Sequence, residues 1–310
     1  MRRTWCLILA AGLALPAAPV FAQGIDMSHG GPIEVTARDG IEWRQNDQEI
    51  IARGDARAVR DNVTVTADEL VAHYRKKAGT APAAPTQAGD PDETGSNEIY
   101  RLDAIGNVHI FTATDQAWGD HAVYDMDQAV LVLTGRALRL TTPDDVLTAR
   151  DSMEYWSATR MSVARGRAVL VTNDARRIDA DTLVGYSEQA TAATAPPAAT
   201  KVAAKPGADP LLSAGKLQRV EAFGNVVLRT PTDTVYADRG VYVPDTGMSR
   251  VVGHVRVTRG QNQLNGPAAD VNMKTGIATM LSNASQRVEG LIVPNDTQSG
   301  PGGKPGGRAP

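Results

Sequence analysis

Few residues in this chain have the type and spacing to do chemistry. Asp68, Asp120, Asp181 and Asp238 are candidates for proton transfer, because two carboxylates in different surroundings can divide the acid and base roles. Each, however, follows a glycine (Gly54, Gly106, Gly166 and Gly224) by 14 or 15 residues. Four equivalents recurring with whole repeats mark a structural position, since a catalytic pair would be unique. The histidines, His29, His73, His109, His121 and His254, include no pair at the short spacing of a zinc helix or zinc knuckle. A G-x-S-x-G elbow, a Walker loop and a Rossmann fingerprint are also missing. The sequence predicts no catalytic residue, no metal site, no cofactor and no enzyme.

What recurs is a whole segment. LDAIGNVHIFTATDQAWGDHAVY (102–124) and LQRVEAFGNVVLRTPTDTVYADRGVYV (217–243) share a glycine, alternating apolar residues, a polar turn and a later aspartate. Further copies carry Gly54 with Asp68 and Gly166 with Asp181, and weaker ones carry Gly135 and Gly253. A last copy is expected to use Asn283, because asparagine replaces glycine where the backbone takes a positive φ. The seven copies share a period near 30, broken by two Ala/Pro/Thr-rich insertions at 78–97 and 187–216. Such a composition cannot bury enough apolar surface to order itself, so both read as flexible loops.

Within each copy the apolar residues alternate, as Val108 and Ile110 do in GNVHI. A period of two is a strand with one buried face. Each copy supplies two short strands, giving an all-β domain of about 14 to 16 strands over residues 32–293. Neither strand can bury its apolar face alone, so successive copies must share one interior. The recurring glycine is expected to allow a bulge or bend, and the aspartate to be a turn residue bonding local amides. By parity His109 and His254 face outward.

Residues 1–22 pair Arg2 and Arg3 with an apolar run and end Val20-Phe21-Ala22, the pattern of a secretory signal peptide. Cys6, the single cysteine, lies inside it, so the exported chain is expected to have neither disulfide nor thiol chemistry. Without that segment 30 basic residues face 35 acidic ones, and aromatics make up only 5% of the whole chain. That balance argues against nucleic acid as a partner. Residues 294–310 read as a disordered tail.

The motifs ARGDARAVRDNVTVTADELVAHY (52–74), AIGNVHIFTATDQAWGDHAVYD (104–125) and EAFGNVVLRTPTDTVYADRGVYV (221–243) resemble the OstA-like family of lipopolysaccharide-transport proteins. The resemblance implies an open, twisted β-jelly roll, located in the periplasm, that shields lipid A acyl chains between the inner and outer membranes. It implies three kinds of partner: a single-span inner-membrane protein of LptC type, an outer-membrane assembly protein of LptD type, and further copies joined head to tail. The chain is expected to be a small periplasmic member, because the large outer-membrane member continues into a barrel. Under this reading Ile50, Leu102, Val108, Ile110, Leu131, Leu133, Val220, Val226, Leu228, Val251, Val255 and Val257 line a lipid groove. The same rows suit an ordinary closed core. A β-solenoid scaffold or adhesion protein of the envelope, without lipid cargo, is the alternative from a different class. Free edges for docking are expected at Pro32 to Ala37 and Gln286 to Val293.

Overall fold

The computed structural model describes residues 33–76, 97–187 and 217–293. The expected signal peptide, Pro32, the tail, and both insertions apart from Asn97 and Ser187 lie outside these residues.

The described strands form one antiparallel meander. It begins with β1 (Glu34–Thr36) and β2 (Gly40–Arg44), two halves of one row that both pair with β3 (Glu49–Arg60). Three long strands follow, β4 (Val63–Lys76), β5 (Asn97–Phe111) and β6 (Gln116–Asp125). The next two rows are again split, into β7 (Val130–Thr134) with β8 (Leu138–Thr141), then β9 (Asp145–Ala149) with β10 (Ser152–Trp156). Six long strands come next: β11 (Met161–Thr172), β12 (Arg177–Ser187), β13 (Leu217–Arg229), β14 (Thr234–Val243), β15 (Met248–Arg259) and β16 (Asn262–Asn272). Both β17 (Ile277–Leu281) and β18 (Glu289–Leu291) pair with β16 and close the series. Because four rows are split in two, the 18 strands make 14 rows, the lower end of the expected range.

The sheet bends near the middle of its rows, and the glycine copies supply the bulges that bend it. Between β13 and β14 the register slips from Phe223 to Val226, and Gly224 and Asn225 take left-handed φ values of 74° and 49°. The same slip accompanies Gly54, Gly106, Gly166 and Gly253. Two residues thus oppose one, which bends a strand and raises its twist. The bends line up into a corner that divides the sheet into two leaves. The first leaf holds β2, β7, β10 and β17, and the second holds β1, β8, β9 and β18. The long strands cross from one leaf to the other.

The aspartates differ from expectation. They are not turn residues: Asp68, Asp120, Asp181 and Asp238 are exposed at the outer corner, each lying over the glycine of the next row. A methyl group added to Gly106, Gly224 or Gly253 would come within 2.2–2.4 Å of the facing carboxylate oxygen of Asp68, Asp181 or Asp238. The residue after the glycine completes the contact. Asn107 and Asn225 donate their amide N–H to Asp68 and Asp181 at 2.9 and 2.8 Å, and His254 Nδ1 lies 2.8 Å from Asp238. Asp39 over Gly54 and Asp151 over Gly166 extend the series. Asp68 and Asp181 therefore join strands that lie on opposite sides of an insertion. His254 belongs to this bulge, with φ 46°, so its outward position is not a matter of strand parity.

The aspartates that do shape turns are others. Thr112, Thr142 and Thr230 each accept, through Oγ1, the amide of the aspartate three residues on. The backbone amide of each threonine donates to the carbonyl of that same aspartate, closing the second-leaf hairpins. Asn283 also departs from expectation. It holds a turn by accepting the amides of Ser285 and Gln286, and it is not among the residues with positive φ. The row before it carries Pro267 at the corner in place of aspartate, so the last row turns by a loop instead of a bulge.

The corner generates a double-mutant test. Gly224→Ala should destabilise the fold by about 2–4 kcal/mol, from left-handed strain together with the clash on Asp181. Asp181→Ala alone should cost about 1 kcal/mol. Combined, they should recover roughly 1 kcal/mol relative to additivity, because the clash is gone while the strain persists. Strict additivity in urea melts would show that the aspartate does not sit on the glycine.

Candidate functional site

Folding the sheet on its corner turns one face of both leaves inward. All 12 residues expected to line a groove point there: Ile50 and Leu102 are half-buried and the other ten are buried. They do not all border open space. Ile50, Leu102, Ile110 and Leu131 line a small apolar cavity of about 60 Å³, which draws on both leaves. Leu131 and Leu133 border a second of about 60 Å³ under β6 to β12. Val220 and Leu228 border a third, under β12 to β15, that is too small to hold a water molecule. Val108, Val226, Val251, Val255 and Val257 instead pack into the continuous core. The interior therefore keeps small voids from the amino-terminal end to the middle of the sheet and is tight toward the carboxy-terminal end.

Parity counted from the glycine missed the aspartate-bearing rows, whose inward residues include Val65, Ala72, Ala122 and Tyr124. Their signal was present: Ala-x-Tyr follows the aspartate in AHY and in the copies near Tyr124. Small alanines on the inner face create the room, and the tyrosines (Tyr124, Tyr155, Tyr242) stand at the far end of the first leaf.

The outer face carries the polar groups that looked scattered in sequence. His73 Nε2 lies 3.0 Å from Asp103, and His121 Nε2 lies 3.6 Å from it. Arg101 donates two N–H groups to the same carboxylate at 2.7 and 2.8 Å. Burial pushes Asp103 up, but the Arg101 bonds and the charges of Arg101, His73 and His121 outweigh it and leave the carboxyl below its usual range. His109 does face outward, stacked between Phe111 and Trp118 at centroid distances of 4.6 and 4.9 Å. No group of three His, Cys, Asp or Glu among the described residues has metal-binding geometry. His29 lies outside them.

At the second-leaf rim two aspartates are short of partners. Burial raises Asp115 to about 6, with a Thr114 hydrogen bond opposing, and one of its carboxylate oxygens has no hydrogen bond. Burial and neighbouring Asp144 likewise raise Asp145 to about 6, against the pull of Arg176. Asp233, the counterpart of Asp115 118 residues later, is instead held by two N–H groups of Arg259, at 2.5 and 2.7 Å.

The described strands thus form an all-β jelly roll with an apolar interior between two leaves of an unclosed sheet. The family model for LptA and the N-terminal domain of LptD, described as an LPS transport protein, matches residues 34–155 and again 151–277. The chain belongs to this family. The two matches agree with a spacing of 118 residues that relates Gly106 to Gly224, Asp115 to Asp233, Asp120 to Asp238 and Gly135 to Gly253. The chain thus holds two family units on one sheet. An uncharacterised protein of Rhizobium meliloti (strain 1021) is 23% identical over 140 residues, covering 45% of this chain and 68% of that protein. The crystal structure of LptH, the LptA-homologous periplasmic component of the lipopolysaccharide transport device of Pseudomonas aeruginosa, is 14% identical. It covers 45% of this chain and 94% of its own, with a TM-score of 0.34.

The rim aspartates give stability a pH dependence of definite sign. Their folded pKa values lie above the unfolded value, so the native state holds the extra protons, and their contribution fades as pH rises from about 4 through about 6. Asp115→Asn cannot ionise. Its melting temperature relative to wild type should therefore climb by about 2–6 °C between pH 4 and pH 7.5. A pH-independent difference would mean that Asp115 is solvated.

Proposed function

We propose that this protein is a periplasmic, non-enzymatic carrier of LptA type, which takes lipopolysaccharide by its lipid A acyl chains and passes it from the inner toward the outer membrane. The observation behind this reading is the apolar interior that runs beneath an unclosed sheet. Exposing a dozen methylenes to water costs roughly 10 kcal/mol at ~0.8 kcal/mol each, so a carrier needs a continuous apolar path. Fourteen rows at ~4.8 Å give a path of about 60 Å. The 12 inward residues named from sequence are its walls, some as cavity lining and some as packing that parts for cargo.

The ends of the sheet support docking. Among the described residues β1 and β2 pair only with β3, and β17 and β18 pair only with β16, so the free edges are broader than the two segments expected from sequence. Ile41 and Trp43 are 51% and 57% exposed at one end, and Ile277, Leu291 and Ile292 are 63%, 63% and 72% exposed at the other. Free strand edges with apolar flanks accept a strand from another chain. The partners proposed are LptC-like and LptD-like proteins bearing the same fold, and further copies joined head to tail.

Two measurements test this reading. Photoreactive residues at Val108 and Val226 should capture lipopolysaccharide in cells, while those at His109 and His254 should not; equal labelling on both faces would defeat the groove assignment. Leu291→Pro, which removes an edge amide and kinks β18, should weaken head-to-tail association about tenfold with the melting temperature nearly unchanged. A wild type that stays monomeric at every accessible concentration and binds no membrane-anchored partner would leave at most a shuttle.

A further inference from the structure

The two leaves meet at the corner and end in hairpins at their far sides, so the interior has a mouth between two rims. In the carboxy-terminal unit, side chains cross it. Arg176, in the second-leaf hairpin between β11 and β12, reaches over to donate to Tyr242 Oη on the first leaf at 2.8 Å. Its side chain is only 11% exposed, and Asp174 pairs with the same guanidinium. Tyr242 is buried and lines the small third cavity.

A second crossing lies further along. Arg259 grips the buried Asp233 on its own rim and donates to the carbonyl of Gly276, which belongs to the first-leaf hairpin between β16 and β17. The position 118 residues earlier is Thr141, which cannot make this reach. The Arg176–Tyr242 crossing borders the tight third cavity, while the first cavity lies in the amino-terminal unit and the second straddles the join between the units.

We infer that Arg176–Tyr242 and Arg259–Gly276 are latches that hold the mouth of the carboxy-terminal unit shut until an acyl chain entering from the amino-terminal unit parts the leaves. This rests on the carrier reading for the cargo, though not for the latch itself. The arginines are placed to resist opening and the rim aspartates around them keep each guanidinium seated. Asp174 does so for Arg176, and Asp233 does so for Arg259.

The test has one readout without lipid and one with it. Amide hydrogen exchange of the full chain should quicken about tenfold or more in residues 172–177 and 240–248 of Tyr242→Phe and of Arg176→Gln, with little change near the corner. Tyr242→Phe keeps the ring and removes only the hydroxyl, Arg176→Gln removes the charge and the reach, and Asp233 is left paired. Unchanged exchange in both would overturn the latch. Photocapture of purified lipopolysaccharide from Val226 should then rise severalfold in Tyr242→Phe while capture from Val108 holds steady. Native capture from Val226 already equal to that from Val108 would overturn the gating role. Absence of capture at both positions, in wild type and in Tyr242→Phe, would defeat the carrier reading, and the exchange data would still decide the latch.

Discussion

The structure depends on one contact repeated along a corner, a carboxylate seated on a glycine that has no side chain. A flat 14-row meander would leave both faces in water and could not bury its alternating valines and leucines. Two-residue bulges in β3, β5, β11, β13 and β15, with breaks in the split rows between them, bring the leaves together and make a single interior. Glycine is required because its φ is positive and because the aspartate occupies the space of a Cβ. The following Asn or His then bonds that aspartate, so the bend is specified by three side-chain choices and not by glycine flexibility alone.

Repetition of the corner carries the fold across the join between the two family units. Between the seventh and eighth rows β10 and β9 both pair with β11, with the same antiparallel geometry as elsewhere, so the two units share one sheet and one core cluster. The second unit is nevertheless not a copy in its energetics. Its core is tighter, and its rim uses Arg259 to neutralise Asp233 where Asp115 is left to burial.

Much of this was legible in the sequence because the signal is periodic. The alternation in GNVHI and GNVVL placed Val108, Ile110, Val226 and Leu228 on the inner face, where they lie. The glycine interval gave the number of rows. The role of the aspartates was not legible, since Asp68 meets Gly106 and Asp181 meets Gly224 across an insertion, and spacing along the chain suggested a turn instead. Asn283 misled for a related reason: side-chain capping and positive φ are both common for asparagine, and only the pairing of β17 and β18 decides between them. The Arg176 to Tyr242 contact, 66 residues apart, has no sequence signature at all.

The central claim is that acyl chains run between the two leaves. The most direct measurement is a crystal structure of the chain with lipopolysaccharide bound. Electron density for acyl chains should lie between the leaves, against Ile50, Leu102, Ile110 and Leu131. Density for those chains only on the outer face, or only against the free edges at Trp43 or Leu291, would contradict the account.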